Sequence, residues 1–126
     1  MEREKIERYK KYDLEERLVG FAVQIINIVE KLPRSCAGLH IANQLVKSGT
    51  SPAANYGEAQ SAESRNDFIH KMKLSLKELR ETRIWLLIIQ RKVMLKPVKL
   101  TISILKENNE LISIFVKSLA TAKKKL

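Results

Sequence analysis

Residues 64–92 read SRNDFIHKMKLSLKELRETRIWLLIIQRK, and their periodicity decides the fold class. Ser64 is placed to cap a helix, and Asp67 follows three residues later as a capping pattern requires. At about 100° per residue, Phe68, Ile69, Met72, Leu76, Leu79, Leu86 and Leu87 fall on one face. Lys73, Lys77, Arg80 and Arg91 cluster within about 60° on the opposite side. A two-faced segment of this length is a helix with one buried side.

C-terminal to it, Met94 to Lys96 form a short connection, and Pro97 suits the first turn of a further helix running to about Ala122. Val98, Ile102, Leu105, Ile112, Phe115, Val116 and Leu119 are its expected core face. Lys96, Lys99, Lys106, Lys117 and Lys124 share an outer arc of about 80°, with Glu110 the one acid among them. Lys123 to Lys125 complement the helix dipole.

N-terminal to it lies a helical pattern from about Ala37 to Gln60 with an apolar line of Leu39, Ala42, Leu45, Val46, Gly49, Ala53 and Tyr56. Pro52 interrupts this line, removing a backbone hydrogen bond, so one kinked helix or two shorter ones are expected. An earlier helix starts at Asp13, capped with Glu16 in the box position, and carries Leu14, Leu18, Phe21, Ala22, Ile25, Ile26, Val29 and Leu32 inward. Pro33 closes it. Residues 1–12 are a charged lead-in, whose i,i+4 pairs Glu4/Arg8 and Glu7/Lys11 are compatible with an extension of the helix; residues 13–122 are the bundle and residues 123–126 a basic tail. The expected fold is all-α: an antiparallel up-down four-helix bundle with a proline-kinked second helix.

Composition agrees. The chain has 126 residues, with four Gly and three Pro, too few for the many turns of an all-β domain. The formal net charge is +10. Residues 63–126 hold fifteen basic and six acidic side chains, and residues 1–62 nine and eight. An asymmetry of this kind suggests a polyanionic partner. The rival reading, a merely solvated face, predicts mixed signs along the last helix, whose row is nearly single-signed. The polyanion is either nucleic acid or an anionic membrane surface; no aromatic side chains interleave with the basic rows, so base stacking is not expected and any nucleic-acid recognition would be of backbone and shape.

Ile84 to Ile89 are six consecutive apolar residues covering the whole circumference of a helix. Ile84, Trp85, Ile88 and Ile89 are therefore expected at a homo-oligomer interface, with coverage by the N-terminal lead-in or a bilayer surface as the alternatives. Arg83 falls in the middle of the apolar face and needs carboxylate partners. Glu58 and Glu30 are the candidates, and Asn55 with Glu58 forms an i,i+3 pair on one face. Asn55, Glu58 and Arg83 are expected as a structural polar network. A di-iron site would need paired Glu-x-x-His motifs, and His40 and His70 are the only histidines. Cys36 is the sole cysteine. No nucleophile elbow or Gly-rich phosphate loop is present. No metal, cofactor or enzymatic activity is expected. The charged first dozen residues argue against a signal peptide, and the apolar run is too short to span a bilayer. A cytoplasmic protein without membrane contact is the expectation.

Several stretches carry a family resemblance. They are Tyr12 to Leu18, Gln44-Leu45, Ser48 to Ala59, Ser64 to Ile69 and Leu76 to Thr82. Together they resemble the 23S rRNA intervening-sequence protein family over about residues 12–122. Pro52, Asn55, Glu58, Glu78 and Glu81 match its hallmark positions, while Ala59 stands where the family usually has glycine. The resemblance implies an antiparallel four-helix bundle forming a ring-shaped homopentamer with no attributed enzymatic activity. Related proteins are accessory factors of diversity-generating retroelements that bind a reverse transcriptase and nucleic acid. The function expected first is RNA binding by a non-enzymatic oligomer. The alternative is an adaptor subunit of such a reverse transcriptase.

Overall fold

The computed structural model describes the backbone of residues 2–125 and the side chains of residues 14–125. Four helices account for nearly all of it: α1 Glu2–Lys31, α2 Cys36–Gln60, α3 Arg65–Lys92 and α4 Lys99–Lys124. No strand occurs among the described residues. The backbone of α1 already begins at Glu2 and runs through Asp13, so no helix starts there. The Asp13 side chain lies outside the described residues.

The helix ends follow local chemistry. Pro33 lies just beyond α1. The hydroxyl of Ser35 accepts from Gly38 N at 3.1 Å, capping α2. A Cβ on Gly38 would strike the carbonyl of Pro33, so the tight α1–α2 corner requires glycine. Ser64 caps α3, accepting from Asp67 N at 3.0 Å. α3 ends on Val93 in the left-handed conformation, φ 55 and ψ 52, a geometry that a β-branched residue adopts at a cost.

α2 is one helix and not two, with Pro52 buried inside it. Around the proline, hydroxyls bond back to carbonyls one turn earlier. Thr50 Oγ1 donates to Val46 O and Ser51 Oγ to Lys47 O, both at 2.6 Å. Across the seam, Ser75 Oγ donates to Pro52 O at 3.3 Å.

Among the described residues α1 packs on α2, α2 on α3 and α3 on α4, and α4 returns to α1. Links Glu58–Lys71, Pro52–Ser75 and Ser48–Thr82 show that numbering falls along α2 as it rises along α3, so these two helices run in opposite senses. At the α1–α2 seam, a Cβ on Gly49 would come within 2.7 Å of two Ile25 carbons, which fixes how closely the helices approach. Phe21, Ile25, Leu45, Leu79, Leu86, Leu111 and Phe115 fill the centre. Tyr56 meets Phe115 edge-on, ring centroids 6.1 Å apart, tying α2 to α4 across the core.

The buried arcs depart from the sequence expectation on all four helices. On α1 Ile26 and on α2 Leu39 are exposed instead of buried. On α4 the arc holds Thr101, Ile104, Leu105, Asn108, Leu111, Phe115, Leu119 and Ala122. Val98, Ile102 and Val116 are exposed instead of buried. The polar residues Thr101 and Asn108 occupy core positions, which hid the true phase of the pattern. On α3, Ile89 is 0% exposed and belongs to the core, so it is not at an oligomer surface. Two turns earlier on the same face, Thr82 points inward, its hydroxyl 2.9 Å from Ser48 Oγ and 2.8 Å from Glu78 O. Arg83, one residue on, is exposed. It sits at the rim of the buried arc, from which a long side chain reaches water.

Candidate nucleic-acid interface

α4 places its cations by helical repeat. Lys99, Lys106, Lys117 and Lys124 are all exposed and fall within about 20° of one another at 100° per residue. Successive members stand about 10, 16 and 10 Å apart along the axis at ~1.5 Å per residue. This face points directly away from the buried arc of the helix. Lys96 is exposed too, but α4 begins only at Lys99, so Lys96 lies in the connection and not on the helical row.

The acids nearest this row are neutralised from α1. Arg17 Nε donates to Glu107 Oε2 at 3.1 Å and Arg17 Nη2 to Glu107 Oε1 at 2.6 Å. The same Nη2 reaches Glu110 Oε2 at 2.9 Å. These hydrogen bonds and charges, Glu107 foremost, hold the guanidinium proton more firmly than usual. Glu110, the one acid of the lysine row, therefore has its charge engaged by a cation from another helix. Sequence spacing gave no sign of this clamp, because Arg17 and Glu110 are far apart in the chain.

On α3, Lys73, Lys77, Arg80 and Arg91 are exposed. They lie opposite the side that Ser75, Thr82 and Lys71 turn to α2. Their row is not purely basic: Ile84 and Ile88, both exposed, fall within it by helical angle. None of the nine candidate cations is in an ion pair among the described residues, where the pairs are Arg17–Glu107, Arg17–Glu110 and Lys71–Glu58.

The proposed polar network does not assemble. Glu58 is exposed and accepts from Lys71 Nζ at 2.6 Å, and that bond raises the lysine pKa. Asn55 is half-buried without a side-chain hydrogen bond among the described residues, and Arg83 points to solvent. The buried polar groups are others: Ser48, Ser75, Thr82, Thr101 and Asn108. Asn108 Nδ2 donates to Leu79 O at 3.2 Å, tying α4 to α3. Trp85 is half-buried, its Nε1 donating to Glu81 Oε2 at 3.4 Å and its ring meeting His40 edge-on at 5.8 Å. Burial, then the charge of Glu81, raises the carboxyl pKa of Glu78, whose Oε2 is buried without a partner.

Among the described residues no group of three or more His, Cys, Asp or Glu is placed to hold a metal ion. Among the described residues no helix is long and apolar enough to cross a membrane. The arrangement offers an unobstructed ladder of ammonium groups on a rigid helix, suited to phosphate.

The family model described as 23S rRNA-intervening sequence protein matches residues 10–117. Among solved structures, a protein of unknown function from the S23 ribosomal protein family of Bacteroides thetaiotaomicron VPI-5482 is similar. It is 31% identical with a TM-score of 0.78, and the match covers 84% of this chain and 97% of that one. No curated protein matches the chain significantly.

Proposed function

The chain belongs to the 23S rRNA-intervening sequence protein family, and we propose that it is a non-enzymatic, oligomeric RNA-binding bundle acting in the cytoplasm. It holds structured RNA by the phosphate backbone, chiefly through the α4 ladder of Lys99, Lys106, Lys117 and Lys124, with Lys73 and Lys96 beside it. The observation that carries this reading is that all four α4 lysines are exposed and outside any ion pair while Arg17 occupies the neighbouring acids.

In this reading all four helices alternate in direction, as short connections and the opposed senses of α2 and α3 favour. α2 bends at Pro52, where a backbone hydrogen bond is lost. Copies assemble into a ring-like homo-oligomer, a homopentamer, because a single bundle leaves Ile84 and Ile88 in water.

Titration of a fluorescent hairpin RNA at 50 and 200 mM salt tests RNA binding. Four phosphate contacts predict an affinity loss on the order of a hundredfold between these concentrations. Failure to bind at 50 mM would remove the reading.

A further inference from the structure

Two exposed stripes on different helices match one another in length and oppose one another in charge. On α1, Glu16, Val19, Val23, Ile26 and Glu30 follow 3-4-3-4 spacing within about 80°. All five are exposed, Val19, Val23 and Ile26 at 48%, 52% and 39%. The stripe is apolar in the middle and acidic at both ends.

On α3, Lys77, Arg80, Ile84, Ile88 and Arg91 follow 3-4-4-3 spacing, again within about 80°. They are exposed as well, Ile84 and Ile88 at 50% and 40%. This stripe is apolar in the middle and basic at both ends. Glu16 to Glu30 and Lys77 to Arg91 each span fourteen steps, about 21 Å at ~1.5 Å per residue. None of these charges is in an ion pair among the described residues.

One chain cannot bring its own stripes together. Among the described residues α1 packs against α2 and α4 and does not meet α3. Each stripe also turns away from the buried arc of its own helix. We infer that the occupant of the α3 stripe is the α1 stripe of a second copy, isoleucines against Val19, Val23 and Ile26, with Glu16 and Glu30 facing Lys77 and Arg91. The inference rests on the proposed self-association and says which surfaces mediate it. Because the two surfaces differ, the contact is head-to-tail. Repeating it leaves one free stripe of each kind at the ends until a ring closes. It also withdraws Lys77, Arg80 and Arg91 from RNA and leaves the α4 ladder outside the contact.

The test is mass measured by light scattering, with helical content checked by circular dichroism. Val23→Glu and Ile84→Glu alter exposed positions and should each give folded monomers. Mixed in equal amounts, these two variants should form a 1:1 dimer of twice the 14.5 kDa chain mass and nothing larger, since each retains the stripe the other has lost. Glu16→Arg with Glu30→Arg should also dissociate the assembly. Adding Lys77→Glu and Arg91→Glu to that variant should restore it. A monomeric parent would overturn self-association itself. An oligomeric parent whose single variants keep their mass would overturn only this choice of surfaces. Monomeric variants that fail to pair on mixing would overturn the head-to-tail contact.

Discussion

Arg17 on α1 grips Glu107 on α4 through two hydrogen bonds, 3.1 Å from Nε and 2.6 Å from Nη2. Among the described residues this is the polar tie between α1 and α4, and the same guanidinium engages Glu110 beside the lysine ladder. Arg17→Met should lower stability by about 1 kcal/mol, since the pair is partly solvated. It should also weaken RNA binding roughly threefold by leaving Glu110 uncompensated. Denaturant titration and RNA titration check the two effects separately. Unchanged RNA affinity would show that Glu110 does not feel the ladder.

Gly49 sets the approach of α1 to α2. A methyl group there would meet Ile25 carbons at 2.7 Å, and Ile25 is fully buried, so it has nowhere to retreat. Gly49→Ala should destabilise the fold by about 1–3 kcal/mol despite the better helix propensity of alanine. A gain in stability on denaturant titration would mean the seam has slack.

Val93 ends α3 with φ 55, where a β-branched side chain crowds the backbone. Val93→Gly should raise stability by about 1 kcal/mol, because the exposed valine contributes little packing to offset that strain. A lower melting temperature in this variant would contradict the assigned cap geometry.

Glu78 gives a pH signature. Burial and Glu81 raise its carboxyl pKa above the ordinary 4.5, so the folded chain binds this proton more tightly than the unfolded chain. Its stabilising contribution is therefore complete below about pH 4.5 and is lost as pH rises through the folded value. Glu78→Gln should flatten that slope and melt at a higher temperature than the parent at pH 7. Thermal melts from pH 4 to 8 decide it, and a glutamine variant less stable at pH 7 would show that the carboxylate has a partner.

Helix number, the Ser64 cap and the stop near Pro33 were legible because they depend on neighbours in sequence. The phase of α4 was not, since Thr101 and Asn108 lie in the core and break the apolar rhythm. The same cause misplaced Arg83 and Ile89. Thr82 takes the inward position through its hydroxyl contacts with Ser48 and Glu78, which no pattern of apolar residues announces. Exposure of the eight candidate cations on α3 and α4 follows from helical angle and charge alone, and Lys96 is exposed in the connection before α4. The Arg17 clamp required the tertiary fold, whereas helical angle alone puts Ile84 and Ile88 on the outer side of α3 with the basic row. The α1 stripe escaped notice because Val19 and Val23 sit beside Leu18 and Ala22 in a segment apolar on several sides.

The most direct measurement of RNA binding by α4 is the salt dependence of affinity for Lys99→Glu/Lys106→Glu/Lys117→Glu beside the parent. All three sites are exposed, so helical content and oligomer mass should be unchanged. The slope of log affinity against log salt should become shallower by about 2–3, with RNA bound at least a hundredfold more weakly at low salt. A triple variant with the parent's affinity and slope would show that the α4 ladder does not carry RNA.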